Sequence, residues 1–226
     1  MKFAIASDRR TAADAVYDSL YEQIVSLDLM PGEKMSEADV ADRFGVSRQP
    51  VRDAFNRLGN LNLLLIQPQR ATVVRNFSIA AIQSARFIRL AVELEVFRVA
   101  AQNWTPDLAP EFDRMLDEQQ ACADAGDGRR FHMLDANFHE RIAEVAQAPF
   151  AYDLIREKKA QVDRICVLSL KGPHEMVELV ADHRAIVDAL SRHDAADAEA
   201  ALRLHLSRID RTIAAIRRDH AEYFDD

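Results

Sequence analysis

The sequence has few cysteines, glycines, prolines and aromatic residues, and it has no long apolar run. Its two cysteines, Cys122 and Cys166, cannot make a disulfide framework, and we expect both to be small core residues in a reducing compartment. Six glycines and seven prolines in 226 residues exclude a collagen-like or Pro/Gly-rich chain. No apolar segment approaches the roughly 18 residues of a membrane span, and MKFAIASDRR is no secretory signal. These absences predict a globular, cytoplasmic protein with no membrane partner.

Charge is unevenly distributed along the chain. Acidic residues outnumber basic ones by 37 to 29, which gives a net charge of −8. Residues 1–78 contain ten of each, so residues 79–226 carry the whole excess. Within the neutral part, the segment from Arg43 to Arg75 contains six arginines and one acid. Such a basic patch in an acidic chain indicates a local site for a polyanion.

The N-terminal part has the pattern of short helices followed by a hairpin. Ser36 is a good N-cap for a helix that ends at Gly45, and Ser47 is a good N-cap for the next one. The segment LLLIQPQRATVV then predicts two short strands around a PQR turn, because β-branched residues cluster in its second half. Helix, glycine turn, arginine-rich helix and hairpin together predict a winged helix-turn-helix in residues 1–77.

The second helix of this motif would present its first residues to base edges in the major groove. Arg is a bidentate reader of guanine and Gln can pair with adenine, so Arg48 and Gln49 are candidates for base contacts. Arg52 lies one turn later on the same face and could contact a base or a phosphate. A basic helix without a partner is the alternative interpretation. The predicted DNA-contacting residues are Ser47, Arg48, Gln49, Arg52 and, in the wing, Arg70.

Residues 17–74 resemble the DNA-binding domain of the GntR superfamily of bacterial transcription regulators. The most specific part of the resemblance is the SRQPVR segment. Two glycines of the family pattern are replaced, by Asn62 before the first wing strand and by Ala71 at the wing tip. Asparagine tolerates the left-handed conformation, so we expect the turn at Asn62 to persist. Alanine at position 71 would be strained if its φ were positive.

From Ser78 onward the pattern predicts only helices. Six helical segments are separated by short connections, which implies antiparallel neighbours. Residues 78–226 are therefore predicted to form an all-α antiparallel helical bundle, and the protein as a whole is predicted to be mainly α.

One of these segments, LDANFHERIAEV, carries Asp135 and His139 one turn apart on an otherwise apolar face. A buried carboxylate or imidazole is costly unless it has a partner. His183 and His205 also share their helix faces with apolar residues. Any one of these histidines could be a core residue with an ordinary hydrogen bond.

Most of residues 78–216 resemble the effector domain of the FadR-like subgroup, called the FCD domain. RLAVELEVFRVAA resembles its first helix and DANFH its metal motif, and the two later histidines have the family's spacing. The resemblance implies that Asp135, His139, His183 and His205 hold a divalent metal ion. This ligand set suits Zn²⁺, Ni²⁺ or Mn²⁺ and leaves positions for an exogenous carboxylate. The remaining histidines are expected at the surface: His132, His174, His193 and His220.

Arg89 lies four residues before Glu93 on the first helix of the bundle. A guanidinium near a core needs an anionic partner, and its fork matches a carboxylate. One interpretation is an intrahelical pair with Glu93. The other is that Arg89 and the metal together bind the carboxylate of a small organic acid.

These features predict a homodimeric transcription regulator, not an enzyme, that binds double-stranded operator DNA under the control of a small carboxylate effector. A first alternative is a constitutive DNA-binding protein whose metal only stabilises the bundle. A second is a helical metallohydrolase, since His193-Asp194 resembles the HD pair of all-α phosphohydrolases. Asp194 is, however, explained as a helix N-cap, and no general base stands beside the metal motif.

Overall fold

The computed structural model describes residues 11–67, 70–169 and 173–225. The chain divides into two compact units between Asn76 and Phe77, one residue before the boundary expected from the sequence. Among the described residues, every helix is too short or too polar to cross a membrane.

The first unit combines three helices with a small sheet. Its elements are α1 (Ala12–Val25), β1 (Lys34–Met35), α2 (Glu37–Phe44), α3 (Arg48–Asn60), β2 (Leu64–Leu65) and β3 (Thr72–Val74). Strand β3 is central and antiparallel to both neighbours, with Val73 opposite Lys34 on one side and Leu65 on the other. Strand β1 was not predicted, because two residues are too few to show an alternating pattern. The wing is therefore part of a three-stranded sheet.

The predicted caps and turns of this unit are mostly present. The Ser36 side chain accepts a hydrogen bond from the Asp39 N–H, and Gly45 ends α2 in the left-handed conformation. Ser47 is the N-cap residue of α3, although its side chain makes no capping hydrogen bond there. Asn62 adopts a φ of 57°, whereas Ala71 is not among the residues with positive φ. The condition for strain at Ala71, a positive φ, is thus not met. Residues 68 and 69 of the predicted PQR turn lie outside the described residues.

The described part of the second unit forms seven α-helices. They are α4 (Ile79–Asn103), α5 (Ala109–Ala125), α6 (Gly128–Val145), α7 (Pro149–Ser169), α8 (Pro173–Ser191), α9 (Ala195–Ser207) and α10 (Ile209–Asp219). The last of the six predicted helical segments, expected to run from Asp194 to about Tyr223, was wrongly predicted as one helix, because the chain turns at Arg208 and begins a new helix. The Arg208 N–H bonds to the carbonyl three residues earlier, a tight turn that no glycine or proline marks in the sequence.

Helix α4 lies inside the bundle and packs against α6, α7, α8 and α9, while α5 packs on α6 and α8. Aromatic side chains fill the space between these helices, and Phe112 meets Phe138 edge to face with ring centroids 5.8 Å apart. Cys122 is a buried core residue as expected, but Cys166 is only partly buried. The four predicted metal ligands, Asp135, His139, His183 and His205, lie among these apolar helices.

Candidate metal centre and nucleic-acid interface

Four predicted metal ligands from three helices converge in the bundle. Helix α6 supplies Asp135 and His139, α8 supplies His183 and α9 supplies His205. One ligand atom from each lies within 4.8 Å of every other. The three histidines are at most 5% exposed, so water is largely excluded from them.

The Nε2 atoms of the histidines face one another across a small gap. Nε2 of His139 lies 3.3 Å from Nε2 of His205, and Oδ1 of Asp135 lies 3.4 Å from Nε2 of His183. Nε2 of His183 is buried and has no hydrogen-bond partner among the described residues. A buried nitrogen left without a partner is costly unless a ligand satisfies it. Convergent lone pairs beside a carboxylate are the arrangement that a cation would satisfy.

Each histidine is also faced on its Nδ1 side by an oxygen. Oε2 of Glu93 lies 2.8 Å from Nδ1 of His139, and Oε1 of Gln119 lies 2.7 Å from Nδ1 of His183. Oδ2 of Asp182 lies 3.8 Å from Nδ1 of the third histidine. Outer partners at the two shorter distances orient metal-binding imidazoles and fix the proton on the nitrogen away from the metal, whereas the Asp182 oxygen lies beyond hydrogen-bond distance of the third ring. Nothing in the sequence indicated Gln119 and Asp182 as partners, because each lies on a different helix from the histidine that it faces and no sequence spacing links the two.

The protonation states suit metal binding. Burial lowers the pKa of His139, and it lowers the pKa of His183 well below its ordinary value. Both imidazoles are therefore neutral at neutral pH and can donate a lone pair. Burial alone would raise the pKa of Glu93. The nearby Arg89 guanidinium and His139 lower this pKa by more than burial raises it, so the carboxylate stays ionised. Three imidazoles and one carboxylate fit a divalent transition-metal ion.

Arg89 connects the histidine cluster to a cavity. Its Nε donates to Oε1 of Glu93 at 2.5 Å, and its Nη2 lies 3.3 Å from Nε2 of His139. The intrahelical pair with Glu93 is therefore present, but it is buried, since Arg89 is only 12% exposed. Arg89 also forms part of the cavity wall, where an anion could reach it.

The cavity measures about 790 Å³ and is lined by α4 and α6 to α10. Asp135 and His205 are part of its wall, so two of the candidate metal ligands face it. This volume falls in the range of roughly 300–1,000 Å³ typical of small-molecule sites. His132 was predicted at the surface, and this was wrong: its side chain is 16% exposed and lines the cavity. Periodicity already placed it three residues before Asp135 on the same helix face, a signal that was available.

The candidate DNA-reading residues lie exposed on the first unit. Helix α3 buries one face in the core through Val51, Ala54, Phe55 and Leu58. On its outer face, Gln49 donates to Asp53 at 2.9 Å, and Arg48 is exposed. Arg52 makes two hydrogen bonds to Glu37 of α2, at 3.0 and 2.8 Å. The hydrogen bonds from Arg52 lower the pKa of Glu37, so this acid stays charged beside the predicted reading face.

Ser47 and Arg70 are the other two predicted contacts, and both are exposed. Nη1 of Arg70 lies 3.4 Å from Oε1 of Gln67, a weak contact that leaves the guanidinium accessible. Nothing in the sequence indicated that Glu37 pairs with Arg52 of α3, because the two residues are fifteen positions apart.

Comparison with known families identifies both units. Residues 12–74 match the family model described as bacterial regulatory proteins, gntR family, and residues 85–208 match the FCD domain. The molecule is thus a DNA-binding transcription regulator with a winged helix-turn-helix and a helical FCD domain. The chain belongs to the GntR family of bacterial regulatory proteins. The family and the relatives named below are transcription regulators and not enzymes.

Relatives along almost the whole chain agree with this. The chain is 35% identical to the HTH-type transcriptional repressor RspR of Escherichia coli K12, over 92% of each sequence. It is 30% identical to a probable D-xylose utilization operon transcriptional repressor of Paenarthrobacter nicotinovorans, over 88% of this chain and 87% of that one. The solved structure of E. coli McbR/YncC has the same fold, with a TM-score of 0.77 and 22% identity over 93% of this chain and 99% of that one.

Proposed function

We propose that the protein is a cytoplasmic, homodimeric repressor whose operator affinity is set by a small organic acid bound beside a divalent metal ion. The ion would be held by Asp135, His139, His183 and His205. The observation that carries the proposal is the convergence of these four ligand atoms within 4.8 Å of one another, beside a cavity whose wall includes Asp135 and His205. Two relatives are named as repressors, which supports this direction of control.

The DNA-binding half of the proposal assigns operator contacts to α3 and the wing. Ser47, Arg48 and Gln49 occupy the N-terminal end of α3, and Arg52 and Arg70 extend the basic surface. Arginine side chains in such a position contact guanine edges and phosphates. A dimer would present two such helices, in keeping with two-fold symmetric operators.

The effector half assigns the acid to the cavity beside the histidine cluster. A bound metal ion would supply a positive centre for a carboxylate oxygen. Arg89 would bind the same carboxylate through its two terminal nitrogens, because a planar fork matches two carboxylate oxygens. Its Nη2 would then exchange its contact with Nε2 of His139 for a carboxylate oxygen. Glu93 holds Arg89 in this position through the bond at 2.5 Å. Zn²⁺, Ni²⁺ and Mn²⁺ all suit these ligands.

The test is calorimetry of metal-loaded protein with small organic acids selected by a thermal-shift screen, in the presence and absence of operator DNA. Coupling between two binding sites is reciprocal. An acid that weakens operator binding by a given factor must therefore itself bind more weakly, by the same factor, when operator is present. Arg89→Ala should lose acid binding, and Arg130→Ala, an exposed arginine outside the cavity wall, should keep it. Equal acid affinity with and without operator would refute effector control.

If no acid alters operator affinity while the metal remains bound, the protein is a constitutive DNA-binding protein with a stabilising ion. Turnover of a phosphate ester by the metal-loaded protein would instead support the hydrolase alternative, which the family membership does not favour.

A further inference from the structure

The basic segment of the first unit contains one acid, and this acid lies on α3. Asp53 is the only acidic residue between Arg43 and Arg75, a segment with six arginines. Its side chain is exposed, as is that of Gln49 one turn earlier. A carboxylate on a surface that meets DNA repels the phosphates and so lowers the affinity for every sequence. An acid at this position therefore calls for a role that offsets this cost.

Asp53 and Gln49 face away from the core of the first unit. Helix α3 turns by about 100° per residue, which places positions 49 and 53 opposite its buried face. That face consists of Val51, Ala54, Phe55 and Leu58. In a helix-turn-helix the outer face of the second helix enters the major groove, with its N-terminal residues at the base edges. Gln49 in the first turn and Asp53 in the second would therefore both face the bases.

A hydrogen bond joins the two side chains. Nε2 of Gln49 donates to Oδ1 of Asp53 at 2.9 Å. An ionised carboxylate only accepts hydrogen bonds, so it selects the orientation in which Nε2 of Gln49, and not Oε1, faces it. The amide keeps a second N–H and its Oε1 for a base edge. Adenine offers the complementary pair in the major groove, an acceptor at N7 and a donor at N6, whereas guanine offers two acceptors, N7 and O6.

We infer that Asp53 is a positioning residue for DNA recognition, which holds the Gln49 amide in the orientation that reads adenine at one position of each operator half-site. Without Asp53 the Gln49 amide can turn over and donate an N–H to O6 of guanine. The preference for adenine then falls, because the side chain must be ordered during binding rather than before it. The inference rests on the assignment of operator contacts to α3 in the proposed function, and it does not depend on the metal ion or the effector.

The experiment first selects binding sites for the full-length protein from random-sequence duplex DNA, and then measures affinity for the selected site by fluorescence anisotropy. Each A·T pair of a half-site is replaced in turn by G·C, and each adenine by 7-deazaadenine, which lacks the N7 acceptor. We expect one position at which G·C weakens wild-type binding about 10-fold or more and 7-deazaadenine about 3-fold or more. At that position Gln49→Ala should bind all three duplexes within about 2-fold.

Asp53→Ala should lower the preference for adenine at that position alone, by about 3-fold or more. Asp53→Glu keeps the accepting carboxylate and should restore part of the preference. Two simpler roles predict other results: loss of a repulsive charge raises the affinity for all sequences, and loss of a helix-stabilising pair lowers it for all. Asp42→Asn removes an exposed acid of α2 and is the control for charge, expected to keep the wild-type preference.

An adenine preference that is unchanged in Asp53→Ala overturns the inference. It is also overturned if Gln49→Ala changes base preference at no position of the selected site. Both outcomes leave the proposed function standing as long as Arg48→Ala still weakens binding to that site. Unchanged affinity in the Arg48→Ala/Arg52→Ala double variant would instead refute the assignment of α3 as the reading helix, and with it this part of the proposed function.

Discussion

Glu93 faces His139 on the side away from the histidine cluster, with its Oε2 atom 2.8 Å from Nδ1 of His139. Its other oxygen accepts the Nε–H of Arg89 at 2.5 Å. One carboxylate thus orients both a candidate metal ligand and the candidate effector-binding arginine. A change in the position of Arg89 therefore reaches His139 in two ways, through the buried Glu93 side chain and through the direct contact of Arg89 Nη2 with Nε2 of His139.

Glu93→Gln should weaken metal binding about 10-fold to 100-fold, because outer partners of metal-binding histidines contribute about this much to affinity. Competition with a chromophoric chelator measures the change directly. Glu95→Gln removes an exposed acid that pairs with Arg98 and is the matched control, expected to leave affinity unchanged. Equal affinities in wild type and Glu93→Gln would show that Glu93 does not support a metal ligand.

His183→Ala should abolish the bound ion, which we expect at about one per chain by elemental analysis. An ion that binds only the folded state stabilises it by about 2.7 kcal/mol at a free concentration 100 times its Kd. Chelation should therefore lower the Tm of wild type and leave that of His183→Ala unchanged. His174→Ala, at an exposed histidine, should behave like wild type. Full metal content in His183→Ala would refute the four-ligand site.

Arg48→Ala should weaken binding to the true operator by about 1–3 kcal/mol and relax base preference at one position of each half-site. The reason is the loss of a bidentate contact from the first turn of α3. Fluorescence anisotropy with operator variants measures both effects. Unchanged affinity in the Arg48→Ala/Arg52→Ala double variant would contradict the assignment of α3 as the reading helix.

Glu37→Gln should raise the affinity for non-specific DNA several-fold. Glu37 makes two hydrogen bonds to Arg52 and places a negative charge beside the reading face. Its neutralisation frees a cation for phosphates and removes repulsion, so the salt dependence of binding should steepen by roughly one phosphate contact. Salt titrations of DNA binding test this. Asp28→Asn, at an exposed acid outside α2 and α3, provides the comparison. If Glu37→Gln binds non-specific DNA no more tightly than wild type does, then Glu37 does not compete with DNA phosphates for Arg52.

Asp14→Asn should destabilise the first unit at neutral pH but not at acid pH. Hydrogen bonds from Thr11 and Arg57 lower the pKa of Asp14 from 3.8 to about 2. The ionised carboxylate therefore contributes stability above about pH 4, and this contribution is lost as the pH falls from about 4 to about 2. Thermal melts at a series of pH values should show the gap between variant and wild type closing over that window. Asp18→Asn on the same helix is the control, and a pH-independent gap would exclude this cause.

Much of the fold followed from local sequence signals. Ser36 and Gly45 bound α2 because capping and left-handed C-termini depend on a few neighbouring residues. Strand β1 and the turn at Arg208 escaped prediction because neither carries such a signal. A two-residue strand exists only through its pairing with β3. The helix break without glycine or proline separates helices with different partners, since α9 packs on α4 and α8 whereas α10 packs on α7.

For the candidate site, the sequence by itself determined that Asp135 and His139 share a face, since helical spacing requires it, and the apolar neighbours on that face predicted that it points inward. Family spacing added the two later histidines. Only the tertiary structure brought Gln119 and Asp182 to the outer nitrogens and joined His132 to the pair of Asp163 and Lys159. These partners come from different helices, and their distances depend on how the helices pack rather than on any local periodicity.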